Sequence, residues 1–141
     1  MQSGAGWRDF TDLVARLEAL QAFRNLPAFA PAAETFKRVS NILDPTVTGE
    51  TVPDALRAPA EQNLLKGILR AEMEVGRGFA DRNYAAVLEA VGTLHADVAA
   101  LFDAVLVNDP DPGLRRPRHL LLRRVRDMVG QIADFSAFQA A

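Results

Sequence analysis

Two groups of basic residues are the positions in this sequence whose types and spacing could do chemistry. The first lies in DPDPGLRRPRHLLLRRV, residues 109–125, where five of seventeen residues are arginine although the formal net charge of the chain is −2. Arginine presents a planar fork of N–H donors that matches phosphate and carboxylate oxygens. This stretch is therefore either a surface for a polyanion or a core helix with an arginine outer face.

A helical wheel at about 100° per residue divides the basic residues of this stretch into two sets. Arg118 and Arg124 lie about 60° either side of the leucine stripe, where arginine stems usually pack on apolar neighbours and the guanidinium pairs with a carboxylate. We predict structural roles for both, with Asp103 and Asp111 as candidate partners. The set opposite the leucines forms the predicted polyanion surface: Arg115, Arg116, His119, Arg123 and Arg126.

The second group lies in ETFKRVSNIL, where the apolar residues occupy one side of a helix. Lys37 and Asn41 are four residues apart, and Arg38 and Asn41 are three apart, so all three are neighbours on the opposite side. Two cations and an amide could hold a phosphate and hydrogen-bond a base edge. The alternative is a solvated face in which Arg38 has an intramolecular partner.

Enzyme chemistry finds little support in the sequence. His95 and His119 are far apart and form no metal-binding pair, and the chain has no cysteine. The few serines lie in no nucleophile motif, and the carboxylates are spread along helices. We therefore predict neither catalytic residues nor a metal site, and we expect each histidine to be solvated or hydrogen-bonded.

The elements that must position these groups are helices, since nearly every segment has helical period. Apolar stripes run through 7–23, 30–43 and the last helix, and Pro-, Thr- and Gly-rich residues 44–54 indicate a loop. The third helix is predicted to begin at Pro59, with Glu61 as a structural charge at its positive end. Residues 83–107 predict either two short helices or one bent near Gly92. The fold class is all-α, a bundle of about five helices.

Composition places the chain among ordinary globular proteins. Its 141 residues suit one domain, with residues 1–9 as a flexible start and 10–141 as a helical domain. Uninterrupted apolar runs are shorter than a membrane span needs, and the N-terminus lacks the features of a signal peptide. A cytoplasmic location without membrane contact is the expectation.

Three blocks of the sequence, in order, resemble one family. They are RLEALQAF with LPAFAPAAETFKRVSNIL, APAEQNLL with DRNYAAVLEAVGTL, and LFDAVLVNDPDPGLRRPRHLLLRRVRDMVGQIADFSAF. Together they extend from about residue 16 to residue 138 and are similar to the C-terminal, DALR-class anticodon-binding domain of the bacterial glycyl-tRNA synthetase β subunit. The resemblance implies a non-catalytic domain that binds the anticodon arm of glycine tRNA. It also implies, as partners, the rest of the β subunit and the α subunit, where ATP and Mg²⁺ would act.

Two details qualify the resemblance. DALR occurs literally at Asp54–Arg57, but the family's motif corresponds to Asp111–Arg115, so the literal copy is interpreted as coincidence. Pro117 stands where the family has asparagine, and we predict that the last helix breaks or kinks there. Two other functions stay open: a helical scaffold that docks onto a larger protein, and a stand-alone tRNA-binding protein derived from the same domain.

Overall fold

The computed structural model describes residues 5–27 and 29–140, and side chains for 10–27 and 29–131. Over these residues the chain forms five α-helices and no strand, which confirms the all-α prediction. The helices are α1 (Ala5–Arg24), α2 (Phe29–Ile42), α3 (Pro59–Ala80), α4 (Tyr84–Ala104) and α5 (Pro112–Ala140). One 3-10 turn, Pro53–Ala55, lies between α2 and α3. Of the predicted flexible start, residues 1–9, residues 1–4 lie outside the described part and residues 5–9 belong to α1.

The centre of the bundle is α4, which packs against each of the other four helices and most extensively against α3. Its buried side chains include Leu94, Val98 and Leu101, which lie three and four residues apart on one face. By length and composition α4 is also the one described helix that could cross a membrane, but in this fold it is a core helix. Burying these side chains supplies most of the stabilisation of the domain.

Glycines allow the helices to approach α4 closely. A Cβ atom at Gly78 of α3 would lie 2.5 Å from Val87 Cγ2, and one at Gly92 would lie 3.2 Å from the ring of Phe23. The sequence left open two short helices or one bent helix at Gly92, and α4 is a single helix. Gly92 makes room for a ring on α1 instead of ending the helix.

The last helix does not break at Pro117, because α5 continues through this proline as one helix, and a kink there stays a prediction. Asp111 begins the helix: its carbonyl accepts the N–H of Arg115 at 2.9 Å, and its Oδ1 accepts the N–H of Gly113 at 2.9 Å. Pro117 lies in the second turn, where its missing N–H removes one hydrogen bond, and its ring is buried. Packing of the ring and of the leucines that follow keeps the helix continuous.

The start of α3 agrees with the prediction. Pro59 is the first helical residue, and Oε1 of Glu61 accepts the N–H groups of Arg57 and Ala58, both at 2.9 Å. A carboxylate at this position satisfies backbone donors that have no partner within the helix. Glu61 therefore fixes the end of the 44–58 connection as well as the helix.

Candidate nucleic-acid interface

The loop that connects α2 to α3 contacts the arginine face of α5. Arg116 Nη2 donates to the carbonyl of Thr48 at 2.6 Å, and Arg123 Nη1 donates to the carbonyl of Val47 at 3.2 Å. Val47 is buried, whereas Arg116 stays exposed and Arg123 is half-buried. The predicted outer arc is therefore only partly covered by this loop, which a helical wheel of α5 alone does not show.

Charge on this face is compensated unevenly. Arg115 Nη2 lies 2.6 Å from Asp44 Oδ2, so its charge is matched by a carboxylate. Hydrogen bonds from the Thr46 hydroxyl and from Arg115 hold the pKa of Asp44 well below its usual range. Arg116 and Arg123 donate to neutral carbonyls and form no ion pair with the carboxylates that the structure describes. Their remaining N–H groups could therefore serve an anion.

Arg118 is buried and acts within the fold. Its Nε lies 2.7 Å from Oε2 of Glu61, and its Nη1 donates to the carbonyl of Leu106 at 2.7 Å. Neither predicted partner is correct: Asp103 is exposed without a described ion pair, and Asp111 caps α5. Burial tends to raise the pKa of Glu61, but the hydrogen bonds from Arg118 and from the backbone of the α3 start outweigh it and lower that pKa.

Arg124 holds α5 to α3 and to the loop. Its Nε and Nη2 donate to the two carboxylate oxygens of Glu72 at 2.8 and 2.6 Å, and its Nη1 donates to the hydroxyl of Thr51 at 2.8 Å. A bidentate fork of this kind fixes orientation as well as charge. Arg126, by contrast, is partly exposed and lies 3.5 Å from a carboxylate oxygen of its neighbour Asp127.

His119, assigned to the outer arc by the wheel, is fully buried, so that placement is wrong. Its Nδ1 accepts the N–H of Asp44 at 3.2 Å, and its Nε2 lies 2.6 Å from Asn108 Oδ1. Nδ1 must be unprotonated to accept, so the ring is neutral and Nε2–H donates to the amide oxygen. Burial, and then the charge of Arg115, lower the pKa of His119 against the opposing effect of Asp44.

His95 departs from expectation in a different way. Its Nε2 atom is buried and has no hydrogen-bond partner among the residues that the structure describes. Within the same residues no group of three His, Asp or Glu side chains could hold a metal ion. His95 is thus a half-buried residue of α4 whose buried Nε2 has no partner among the described residues.

The second predicted group is exposed on the last two turns of α2. Lys37 and Asn41 have no hydrogen-bond partner among the described residues, and Arg38 places Cζ 4.1 Å from the centroid of the Phe102 ring. Phe102, in the last turn of α4, is a residue that sequence reasoning missed as part of this site. No signal in the sequence pairs it with Arg38, since only the packing of α2 on α4 brings them together.

Asp44 joins the elements that carry the two basic groups. Three residues beyond Asn41, it forms an ion pair with Arg115 and a hydrogen bond with His119. The residues that follow α2 are thereby held beside the second turn of α5.

The fold and these side chains define a class: an all-helical domain with exposed basic residues on α2 and α5. No family model matches the chain. It is similar, however, to glycine–tRNA ligase β subunits. The Anaeromyxobacter dehalogenans (strain 2CP-C) protein is 44% identical over 139 residues, which cover 96% of this chain and 20% of the relative.

Two further relatives carry the same name. The β subunit of Pseudomonas fluorescens (strain SBW25) is 39% identical over 128 residues, which cover 89% of this chain and 19% of the relative. That of Methylobacillus flagellatus is 36% identical over 132 residues, 92% of this chain and 19% of the relative. The homologues of this chain are thus glycine–tRNA ligase β subunits, and the chain spans about one fifth of their length.

Proposed function

We propose that this chain is the DALR-class anticodon-binding domain of a glycine–tRNA ligase β subunit and that it binds the anticodon arm of glycine tRNA. Aminoacylation, with ATP and Mg²⁺, takes place elsewhere in the enzyme, and this chain holds no cofactor of its own. The rest of the β subunit and the α subunit are its protein partners, in the cytoplasm. Similarity to the β subunits over almost the whole chain supports the proposal.

The observation that carries it is the exposed group on α2. Lys37 and Arg38 form no ion pair with a described carboxylate, whereas Arg115, Arg118 and Arg124 each do. Free cations gain more from a phosphate, because no existing salt bridge has to be broken. Lys37, Arg38 and Asn41 are therefore the first contacts, followed by Arg116 and Arg123. Arg126 comes last, because it already lies 3.5 Å from a carboxylate oxygen of the exposed Asp127.

Binding by this surface is driven by the release of counterions from the RNA backbone, so affinity falls as salt rises. Recognition of single-stranded loops requires unstacked bases to meet aromatic, amide or guanidinium groups. Lys37 supplies charge, and Asn41 supplies a donor and an acceptor on the same side of α2. Arg118 and Arg124 serve the fold, since their guanidinium groups are committed to Glu61 and Glu72.

One surface favours a second function, that of a scaffold docked onto the rest of a longer protein. Val52, Leu69 and Met73 are 54%, 45% and 67% exposed, and Leu69 lines a cavity of about 490 Å³ between α3 and α5. Exposed apolar side chains beside a groove are typical of a protein contact. This function requires no RNA affinity in the isolated chain.

A titration of the 141-residue chain with glycine tRNA and with an anticodon-swapped copy separates the two functions. The tRNA-binding function predicts affinity that falls steeply between about 50 and about 200 mM salt and is lower for the swapped tRNA. Lys37→Gln should weaken binding and reduce the salt slope by about 1. Lys66→Gln is the control: it removes the chain's other lysine, which is exposed on α3, and should change neither the affinity nor the salt slope. Absence of binding to either tRNA at low salt would contradict the proposal.

A further inference from the structure

Arg38 and Phe102 form a stacked pair at the surface where α2 meets the end of α4. The guanidinium carbon lies 4.1 Å from the ring centroid, well inside the roughly 6 Å limit for a cation held over an aromatic face. Phe102 is partly buried and packs against the main hydrophobic core, so the ring is fixed in place. Arg38 itself is exposed. The result is a guanidinium group held over a rigid ring at the surface.

We propose that the outer face of the Arg38 guanidinium is a stacking surface for one unpaired nucleobase of the bound RNA, with Phe102 as the residue that positions it. The inference rests on the proposed function. Bases stack on arginine planes as they do on aromatic rings, and each stacked base contributes substantially to affinity. Asn41, one turn further along α2, is placed to hydrogen-bond the edge of that base.

The geometry favours a base over a simple phosphate contact. A phosphate needs positive charge and N–H donors, which the unpaired Lys37 already supplies without an aromatic partner. An aromatic ring beneath the guanidinium adds something different: it restricts a flexible side chain to one plane before the ligand arrives. Less conformational entropy is then lost on binding, and the plane is the shape that a base matches.

Several other aromatic rings are engaged with neighbouring side chains of the fold. Tyr84 is buried and donates its hydroxyl to Asp12, and the rings of Phe23 and Phe29 meet edge to face at 5.5 Å. Phe79 packs against Tyr84 and the guanidinium of Arg16. The Arg38–Phe102 pair differs from these because its guanidinium is exposed and lies beside the unpaired Lys37 and Asn41.

Binding of a stem–loop with the glycine tRNA anticodon loop, and of copies with one abasic loop nucleotide each, tests this site. Arg38→Lys keeps the charge but removes the plane, so it should weaken binding of the intact loop about tenfold with an unchanged salt slope. The wild type should bind one of the abasic copies about tenfold more weakly than it binds the intact loop. Arg38→Lys should bind that copy as well as the wild type does. Phe102→Leu should also weaken binding of the intact loop with an unchanged salt slope, but by less than Arg38→Lys does.

Arg57→Lys is the matched control, because Arg57 is exposed and its guanidinium has no described partner. It should bind every RNA like the wild type. Circular dichroism and thermal unfolding establish that each variant folds. If Arg38→Lys binds all the RNAs like the wild type, or loses affinity equally for every abasic copy, no base stacks on Arg38. In that case, salt-dependent binding by the wild type would still support the proposed function. If the wild type binds none of the RNAs, both the stacking site and the proposed function are wrong.

Discussion

The Nε atom of Arg118 lies 2.7 Å from Oε2 of Glu61, and the two side chains are 8% and 2% exposed. The second carboxylate oxygen of Glu61 accepts two backbone N–H groups at the start of α3, and Nη1 of Arg118 donates to the carbonyl of Leu106. One buried pair therefore joins the start of α3, the connection after α4 and the second turn of α5.

Removing either member of this pair should be costly, because a buried charge then loses its closest partner. Without Glu61, Arg118 keeps only Asp109, whose carboxylate oxygen lies 3.8 Å from its Nη1, and the carbonyl of Leu106. We expect Glu61→Leu and Arg118→Met each to lower the free energy of unfolding by about 3–5 kcal/mol. The double variant should lose clearly less than the sum of the two, since neither charge remains. Urea denaturation measures all three, and simple additivity would show that the two side chains act independently.

The pH dependence of stability should reveal the neutral state of His119. Its pKa is lowered from 6.5, so the unfolded chain takes up a proton at a higher pH than the folded chain does. The contribution of neutral His119 to the free energy of unfolding is therefore complete above about pH 6.5, and it is lost as the pH falls through the pKa of the folded state. Urea midpoints at about pH 7.5 and about pH 5.5 measure this loss.

His119→Gln is the informative variant, because its amide can accept from Asp44 and donate to Asn108 without titrating. We expect its urea midpoint to change less than that of the wild type between the two pH values. His95→Gln is the control. Because His119 is intact in this variant, its urea midpoint should change with pH as that of the wild type does. An equal pH dependence in His119→Gln and the wild type would show that His119 is not the group responsible.

Close packing of α3 on α4 predicts opposite effects for two glycines of α3. A Cβ at Gly78 would lie 2.5 Å from Val87 Cγ2 and 3.0 Å from the carbonyl oxygen of Asn83, whereas one at Gly76 would meet nothing within 4 Å. Gly78→Ala should therefore lower the free energy of unfolding by about 1–3 kcal/mol through overpacking. Gly76→Ala should raise it by about 0.5–1 kcal/mol through helix propensity. Thermal unfolding distinguishes the two, and a stabilised Gly78→Ala would show that the helices can separate at little cost.

Variants of the literal DALR string, Asp54–Arg57, show whether these residues contribute to RNA binding or only to the fold. Leu56 is buried in the main core, Arg57 contributes only its backbone N–H to a described hydrogen bond, and Asp54 is exposed. Leu56→Ala should cost about 2–5 kcal/mol of stability. Asp54→Ala and Arg57→Ala should leave both stability and RNA affinity near wild type. A large loss of RNA affinity in either would show that the literal copy is functional.

Local features of the fold were predictable because a few neighbouring residues encode them. Apolar residues three and four apart predicted the five helices, and Pro59 with Glu61 predicted the start of α3. The placement of Lys37 and Asn41 opposite the apolar side of α2 followed from the same period. Pro117 shows the limit of such rules, since packing of α5 outweighed the local cost of one missing hydrogen bond.

What the sequence by itself determined, then, is the set of helices, the start of α3 and the exposure of the α2 group. Tertiary structure alone decided which charges are free. Arg118 meets Glu61 across 57 residues of sequence, and the loop between α2 and α3 forms hydrogen bonds with Arg116, Arg123 and the buried His119. The physical reason is distance along the chain: helices form through bonds between residues four apart, whereas ion pairs and burial depend on how distant segments pack.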